Sequence, residues 1–411
     1  MIRLDVWLTL SSGESVKAGT LVVADPDDVR GALQGQFRYA PEYLEHPQTF
    51  PLDPLHLPLS TDTFNANRPR AGVHGVFEDS LPDDWGWRLM VRRHKLGRRD
   101  QRVPNLLRLL GNQGLGALSY VEEGWPELKT TGVSIRHLQE LSLLAEKFEQ
   151  EPAAAADDEL SLLFQAGSSP GGARPKALVK DENGAYLAKF ASAMDQLDVV
   201  SLEAAAMELG RRAGIETADS RLLTLGPRKC LLVKRFDINE AGGRNHLISM
   251  QSLLKADGYY YAGYRDMAEM IRHVSTQPGQ DLQRLYRQMV FNVMIGNTDD
   301  HLKNFIMLHN DEGWRLSPAF DLIPNVGFNR EHVLRIGYDN TPPDLETLLQ
   351  EAGHFGLKRR QQTLEVIMEV HEAVSEWSTV FAACNMPERD DENIGKDINH
   401  RLKETNPAPF V

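Results

Sequence analysis

The stretch "GNTDDHLKNF" (296–305) constrains this chain more than any other, because it joins an apolar helical run to a strand-like one with almost no ordinary turn residues. Upstream, "QRLYRQMVFNVMIG" (283–296) repeats apolar residues at helical spacing and stops at Gly296. Downstream, "NFIMLHN" (304–310) reads as a strand, "DEG" (311–313) as a turn and "WRLSP" (314–318) as the return strand. In such a hairpin the start of one strand lies roughly 5 Å from the end of the other. Asn304 sits at that start, and Asp321 of "PAFDLIP" lies just past that end, so the fold-back predicts an amide oxygen beside a carboxylate. Two hard oxygen ligands with open positions suit Mg2+ bridging substrate phosphates.

On the loop leading there, Asp299 is placed to accept or orient the proton of an incoming hydroxyl, and Lys303 to stabilise charge on a transferred phosphoryl group. His301 either orders the loop by hydrogen bonds or serves as a base, and the first role suits an imidazole set among carboxylates. Asp300 is read as pointing outward. The competing reading is a polar turn with solvated charges; the link to distant Asp321 argues against it.

A second patterned region, "AGSSPGGARPKALVKDENGAYLAKF" (166–190), offers a glycine-rich loop, a strand, a "DENG" turn and a second strand ending at Lys189. The loop is not of Walker A type, since Ala173-Arg174 follow Gly172 where Lys-Ser/Thr is required. Its Gly171, Gly172 and Ala173 can still aim backbone N–H groups at phosphates, with Lys176 beyond them; a flexible linker tip is the alternative. Lys189 either meets the α- and β-phosphates, steadied by Glu203 from the helix at 198–214, or snorkels to water from a strand end. In "LLVKRFD" (231–237) the backbone around Lys234–Phe236 is a candidate adenine hinge, although ordinary strand structure explains its apolar part equally well.

Elsewhere, "IRLDVWLTL" (2–10) and "KAGTLVVAD" (17–25) read as paired strands, followed by a proline-rich extended segment at 46–60. A helix is expected at 80–96, entered through Ser80 and Pro82, another at 135–150, and a low-complexity connector at 151–159. From about 250 onward helices dominate. The expected fold class is α+β: a bilobal protein-kinase-like fold, with a small β-rich lobe, an N-terminal subdomain and a larger, mostly helical C-terminal lobe. The boundaries expected are 1–125 for that subdomain, 135–240 for the nucleotide-binding part and 241–411 for the helical catalytic part.

Bulk properties exclude some classes. With 41% hydrophobic and 25% charged residues the chain is of ordinary globular type, and it carries no leader pattern and no 18-residue apolar span. A cytoplasmic protein without membrane contact is expected. The net charge of −13 opposes DNA binding by this chain alone. Cys230 and Cys384 match no metal spacing, and the lack of H-E-x-x-H argues against a metal hydrolase.

These motifs, in this order, resemble the HipA family of serine/threonine-protein kinase toxins from type II toxin–antitoxin systems. The matching pieces are "GGARPKA" (171–177), "YLAKF" (186–190), "VKRFD" (233–237), "GNTDDHLKNF" (296–305) and "LSPAFDLIP" (316–324). The pieces "FRYAPEYL" (37–44), "LPLS" (57–60), "SLPDDWGWRLM" (80–90) and "GALSYV" (116–121) are similar to the family's N-terminal subdomain. The resemblance implies ATP- and Mg2+-dependent phosphorylation of a protein serine, aminoacyl-tRNA synthetases being the best-known family targets. By that resemblance Asp299 is the catalytic aspartate, Asn304 and Asp321 hold the metal, and Lys189 meets ATP. Ser169, with Ser168 adjacent, matches the serine whose autophosphorylation ejects the glycine loop and silences the kinase. A HipB-like helix-turn-helix antitoxin is implied too, through which operator DNA is reached only indirectly. Two departures are Arg174-Pro175, where some relatives carry Gln-Glu, and a short, proline-containing segment after Asp321. A small-molecule phosphotransferase and a non-catalytic pseudokinase or corepressor are the alternative readings.

Overall fold

The computed structural model of residues 1–411 describes all residues except 28, 123, 125–131, 153–155, 168–172, 240–241, 258–260, 326–330, 339–341 and 409–411, and the side chains of 165–167. The chain forms two compact units. One comprises Met1–Ala193, Lys234–Ile248 and Leu308–Asp311; the other comprises Met194–Val233, Ser249–Met307 and Glu312–Val411.

In the first unit, strands β1 (Ile2–Thr9), β2 (Ser15–Val23), β3 (Gly35–Tyr39), β4 (Thr63–Ala66) and β5 (Leu118–Val121) form an antiparallel sheet in the order β4-β3-β2-β1-β5. The expected pairing of the first two strands is present, from Ile2↔Val23 to Thr9↔Ser15, with a bulge between Val6 and Trp7. Alternation in β1 sends Leu4, Val6 and Leu8 into the core, each fully buried. Phe37 packs on Tyr39 and Phe77 with ring centroids 4.9 and 5.0 Å apart.

The proline-rich stretch has few ladder hydrogen bonds of its own, and tyrosine hydroxyls hold it instead. Tyr39 Oη donates to the Leu57 carbonyl (2.6 Å) and accepts from Leu52 N (3.0 Å), and Tyr43 Oη donates to Phe50 O (2.7 Å). His246 adds a bond from Nε2 to Leu52 O (2.9 Å). Two expectations need correction. The helix expected from Ser80 runs Asp84–Arg93 behind an N-cap at Asp83; Ser80 is buried and bonds Tyr120 Oη at 2.8 Å. The connector at 151–159 gives way to a helix, Asp157–Gly167, because Asp157, Asp158 and Glu159 in its first turn complement the helix dipole.

Further along the same unit, β6 (Val133–Ser134) runs parallel to β7 (Lys176–Asp181), which turns back antiparallel into β8 (Gly184–Phe190). The helix Leu138–Gln150 confirms the periodicity seen at 135–150.

In the second unit β9 (Ser220–Leu225) pairs antiparallel with β10 (Arg228–Lys234, of which Lys234 belongs to the first unit), in register from Arg228↔Leu225 to Val233↔Ser220. Helix Val199–Arg212 is capped by Asp198, which accepts from Ser201 N (3.1 Å) and from Lys229 Nζ (2.6 Å). The helix Pro278–Ile295 forms the centre of this unit, with Leu285, Tyr286, Met289, Val290 and Phe291 fully buried. Around it lie the helices Tyr264–Val274, Leu345–Glu351, Arg360–Ser375 and Glu388–Glu404. Near its start, fully buried Asp281 accepts from Ser275 Oγ (2.6 Å), Leu316 N (3.0 Å) and Arg315 Nε (3.2 Å). Burial alone would raise that carboxyl's pKa, but Arg315, Ser275 and the Leu316 N–H together hold it below its ordinary value. Cys230 and Cys384 are both free thiols, the first buried. No described helix is long and apolar enough to cross a membrane.

One pair of side chains makes the first unit sensitive to acid. His246 and His309 flank Phe50, the latter stacked on it at 3.6 Å between centroids. Burial pushes both imidazoles down to about 4. In the unfolded chain they protonate near 6.5, so the stability of their neutral folded form is complete above that pH and lost as pH falls towards about 4. Each contributes on the order of 3 kcal/mol when the loss is complete. Urea unfolding between pH 7 and 5 is expected to show a falling midpoint, with a flatter slope in the His246→Gln/His309→Gln double variant.

Candidate active site

The helix Pro278–Ile295 ends where expected. Gly296 takes the left-handed conformation (φ 79°), and its N–H caps the Asn292 carbonyl at 3.1 Å. A Cβ at this position would come within 2.9 Å of Arg401 Nε and 3.0 Å of Asp397 Oδ2, so glycine is required by both backbone and space.

The loop after Gly296 is sorted residue by residue. Asn297, Thr298 and Asp300 are buried, whereas Asp299 is exposed. The outward orientation read for Asp300 is therefore wrong. Its carboxylate accepts from Tyr264 Oη (2.7 Å), His332 Nδ1 (2.9 Å) and Leu334 N (3.2 Å). Tyr264 Oη in turn accepts from Asn292 Nδ2 (2.9 Å), and Asn292 Oδ1 accepts from Asn297 Nδ2 (3.1 Å). Burial first, and then the Asp300 charge, hold the Tyr264 phenol well above its ordinary pKa, so it remains a donor. These are the residues that sequence reasoning missed. Tyr264 and His332 lie 36 and 32 positions from Asp300 in the chain, and no local pattern joins them.

The same loop is held from a second side. Asn325 N donates to Gly296 O (2.8 Å), Asn325 Nδ2 to Thr298 Oγ1 (2.8 Å) and Val333 N to Thr298 O (3.0 Å). Asp299 is thus the exposed member of a loop whose neighbours are all tied down.

Asn304 does not begin the strand, as expected, but closes a 3₁₀ turn, Leu302–Asn304, and the strand runs Ile306–Asn310. His301 caps that turn, its carbonyl accepting from Asn304 N (2.9 Å), and Lys303 is exposed. Asn304 Nδ2 donates to the Asp299 carbonyl (3.3 Å), which leaves its Oδ1 as the acceptor end of the amide. The return strand is Gly313–Leu316, and Ser317 N donates to Ile306 O (2.9 Å). The chain reversal therefore brings the approach to Asp321 back alongside the residues that follow Asn304. Asp321 itself is half-buried with φ 56°, a conformation unfavourable for a residue with a side chain. Such backbone strain occurs preferentially where a side chain must be aimed. Among the described residues no cluster of three or more His, Cys, Asp or Glu side chains is gathered for a metal. An amide oxygen and a carboxylate make a sparse, hard-oxygen set, which fits Mg2+ and not zinc.

The residues read as nucleotide contacts divide between the units. Lys176, Lys189, Lys234 and Phe236 belong to the first unit, and Glu203, buried on the helix Val199–Arg212, to the second. Lys176 and Lys189 are directly opposed across β7 and β8 and so share one face of the sheet. In the hinge stretch, Arg235 N already donates to Ala185 O (2.9 Å), and Phe236 O accepts from Asn245 Nδ2 (2.9 Å). Ala173 is exposed, and Ser168, Ser169, Gly171 and Gly172 lie outside the described residues.

Comparison with known proteins bears on the whole chain. The HipA-like C-terminal domain matches residues 168–377, and the HipA N-terminal domain matches residues 14–121. "Putative kinase Y4mE" of Sinorhizobium fredii is 30% identical over 169 residues, 37% of this chain and 40% of that protein. Toxin YjjJ of Escherichia coli is 25% identical over 196 residues, 42% of this chain and 43% of that protein. The chain thus spans about half the length of the curated relatives it matches, or somewhat less. Among solved structures, the Shewanella oneidensis toxin–antitoxin complex of HipA, HipB and operator DNA has a similar fold, with a TM-score of 0.68 at 17% identity, covering 98% of this chain and 96% of that one. The α+β architecture expected from the sequence is that fold, and with a HipA-like C-terminal match over half its length the chain belongs to the HipA family.

Proposed function

We propose that the chain is an ATP- and Mg2+-dependent kinase that phosphorylates a serine of a cellular protein and a serine of its own glycine loop, Ser169 or its neighbour Ser168. The observation that carries the reading is the contrast within one dipeptide: Asp299 exposed on a loop that buried Asp300 holds rigid. That is the arrangement a proton acceptor needs, accessible to substrate yet fixed in position.

In this reading an acceptor hydroxyl approaches Asp299, whose carboxylate orients it and takes its proton. Asn304 Oδ1 and the Asp321 carboxylate would hold Mg2+, which would supply charge neutralisation at the phosphoryl oxygens. Lys303 supports charge on the transferred group from the solvent side, and His301 shapes the turn. Lys176 and Lys189, directly opposed across β7 and β8, put two cations on one face of the sheet for a polyphosphate to meet. Glu203, the Gly171, Gly172 and Ala173 loop and the Lys234–Phe236 stretch are the further nucleotide contacts proposed from the sequence. A HipB-like helix-turn-helix partner is proposed on the likeness to the HipA–HipB–DNA complex, and it suits an acidic chain of net charge −13.

Three outcomes test this. With labelled ATP in lysate, wild type is expected to label one dominant foreign protein and itself at Ser169 or Ser168, and Asp299→Asn to lose about 10²–10⁴-fold of both while melting like wild type. Asp300→Asn is expected to lower unfolding free energy by about 2–4 kcal/mol, since it perturbs a buried, fully bonded carboxylate. Undiminished labelling in Asp299→Asn would exclude the reading, and wild-type protein that labels no protein at all would favour a small-molecule acceptor. In a Mg2+ titration, Asn304→Ala and Asp321→Asn are each expected to raise the half-saturating concentration about tenfold or more.

A further inference from the structure

Within the second unit, a cavity of about 170 Å3 opens on one face of the helix Pro278–Ile295. Gln283, Arg284, Arg287 and Gln288 line it from the helix, and Glu216 and Ser317 from the chain opposite. No residue of the catalytic loop lines it. Three observations bear on what it holds.

Gln288 is 5% exposed, lines the cavity, and its amide has no hydrogen-bond partner among the described residues. An amide that lines a cavity without a protein partner is satisfied there by water or by a guest that can hydrogen-bond. Arg284 and Arg287 lie one turn apart; Arg284 is anchored from behind by the buried Asp281 carboxylate (3.1 Å), Leu316 O (2.7 Å) and Ser317 O (3.2 Å), and Arg287 by Ala213 O (2.9 Å). Their outer edges meet carboxylates that are mostly in water, Glu216 at 3.0 Å and Glu369 at 2.7 Å, with side chains 60% and 58% exposed. Exposed ion pairs are weak, so those two acids are exchangeable, whereas the main-chain anchors are not. Ile215, Leu316 and Val366 complete apolar walls that strengthen any charge contact made inside.

We propose that this cavity is a ligand site for a small oxyanion, a phosphate or a carboxylate, held by Arg284 and Arg287 in place of Glu216 and by the Gln288 amide N–H. The volume is ample for an oxyanion of a few heavy atoms. Ser317 and Ala319 line the same cavity a few residues before Asp321, so the occupant touches the segment that carries that carboxylate. The site stands independently of the kinase reading.

Calorimetric titration of the full chain in chloride buffer tests it, with inorganic phosphate and malonate as probes and sodium chloride at matched ionic strength as the blank. Saturable binding of one probe is expected, with affinity falling about tenfold in Arg287→Gln and in Gln288→Leu, and rising a few-fold in Glu216→Gln. Glu216 is exposed, so its variant reports even where the other two fold poorly. Binding of phosphate alone or of malonate alone identifies the anion's source. Absence of saturable binding, or binding that survives all three variants, means an adventitious ion only and overturns the site. So does phosphate affinity lost in Lys189→Ala but kept in Arg287→Gln.

Discussion

A carboxylate removed from water must be given hydrogen-bond donors, and Asp300 meets that condition with a phenol, an imidazole and a backbone N–H. Those donors come from the helix Tyr264–Val274 and from the segment around 332–334, so one buried charge fixes three pieces of chain at a single point. Removing any of the three donors would weaken the compensation of that buried charge, which favours this arrangement of the loop. The side chains of Asn292 and Asn297 extend the network back onto the helix Pro278–Ile295.

The catalytic reading depends on this rigidity. Asp299 makes its case by being exposed and close to Asn304, whose amide is bonded to the Asp299 carbonyl. A mobile loop with the same residues would lose most of the advantage of position. Asp321 belongs to the same logic, since a non-glycine residue at φ 56° persists only where surrounding contacts over-determine it. Ala319 supplies such contacts two residues earlier: its N–H donates to Glu216 O (2.8 Å) and its carbonyl accepts from Ala218 N (2.9 Å).

Much of the architecture was legible from periodicity and punctuation. The strands at 2–10 and 17–25, the helix stop at Gly296, the "DENG" turn and the reversal near 312 follow from local pattern, because their physics is local. The misjudged elements share another cause. The Asp157–Gly167 helix was hidden behind an alanine-rich approach that reads as linker. The helix start at Asp83 was misplaced because Ser80, a plausible cap, is recruited by Tyr120 forty positions away. Asn304 was assigned to the strand because a 3₁₀ turn carries no periodicity of its own.

The order of glycine loop, lysine, helix glutamate and the Asp–Asn–Asp set, and hence the family and the chemistry it points to, is written in the sequence by itself, since motif spacing survives without knowledge of contacts. Which of two adjacent aspartates faces solvent was not written there. Asp299 and Asp300 are chemically identical, and only the fold, by bringing Tyr264, His332 and the Leu334 N–H around one of them, decided which would be buried as a strut and which left exposed.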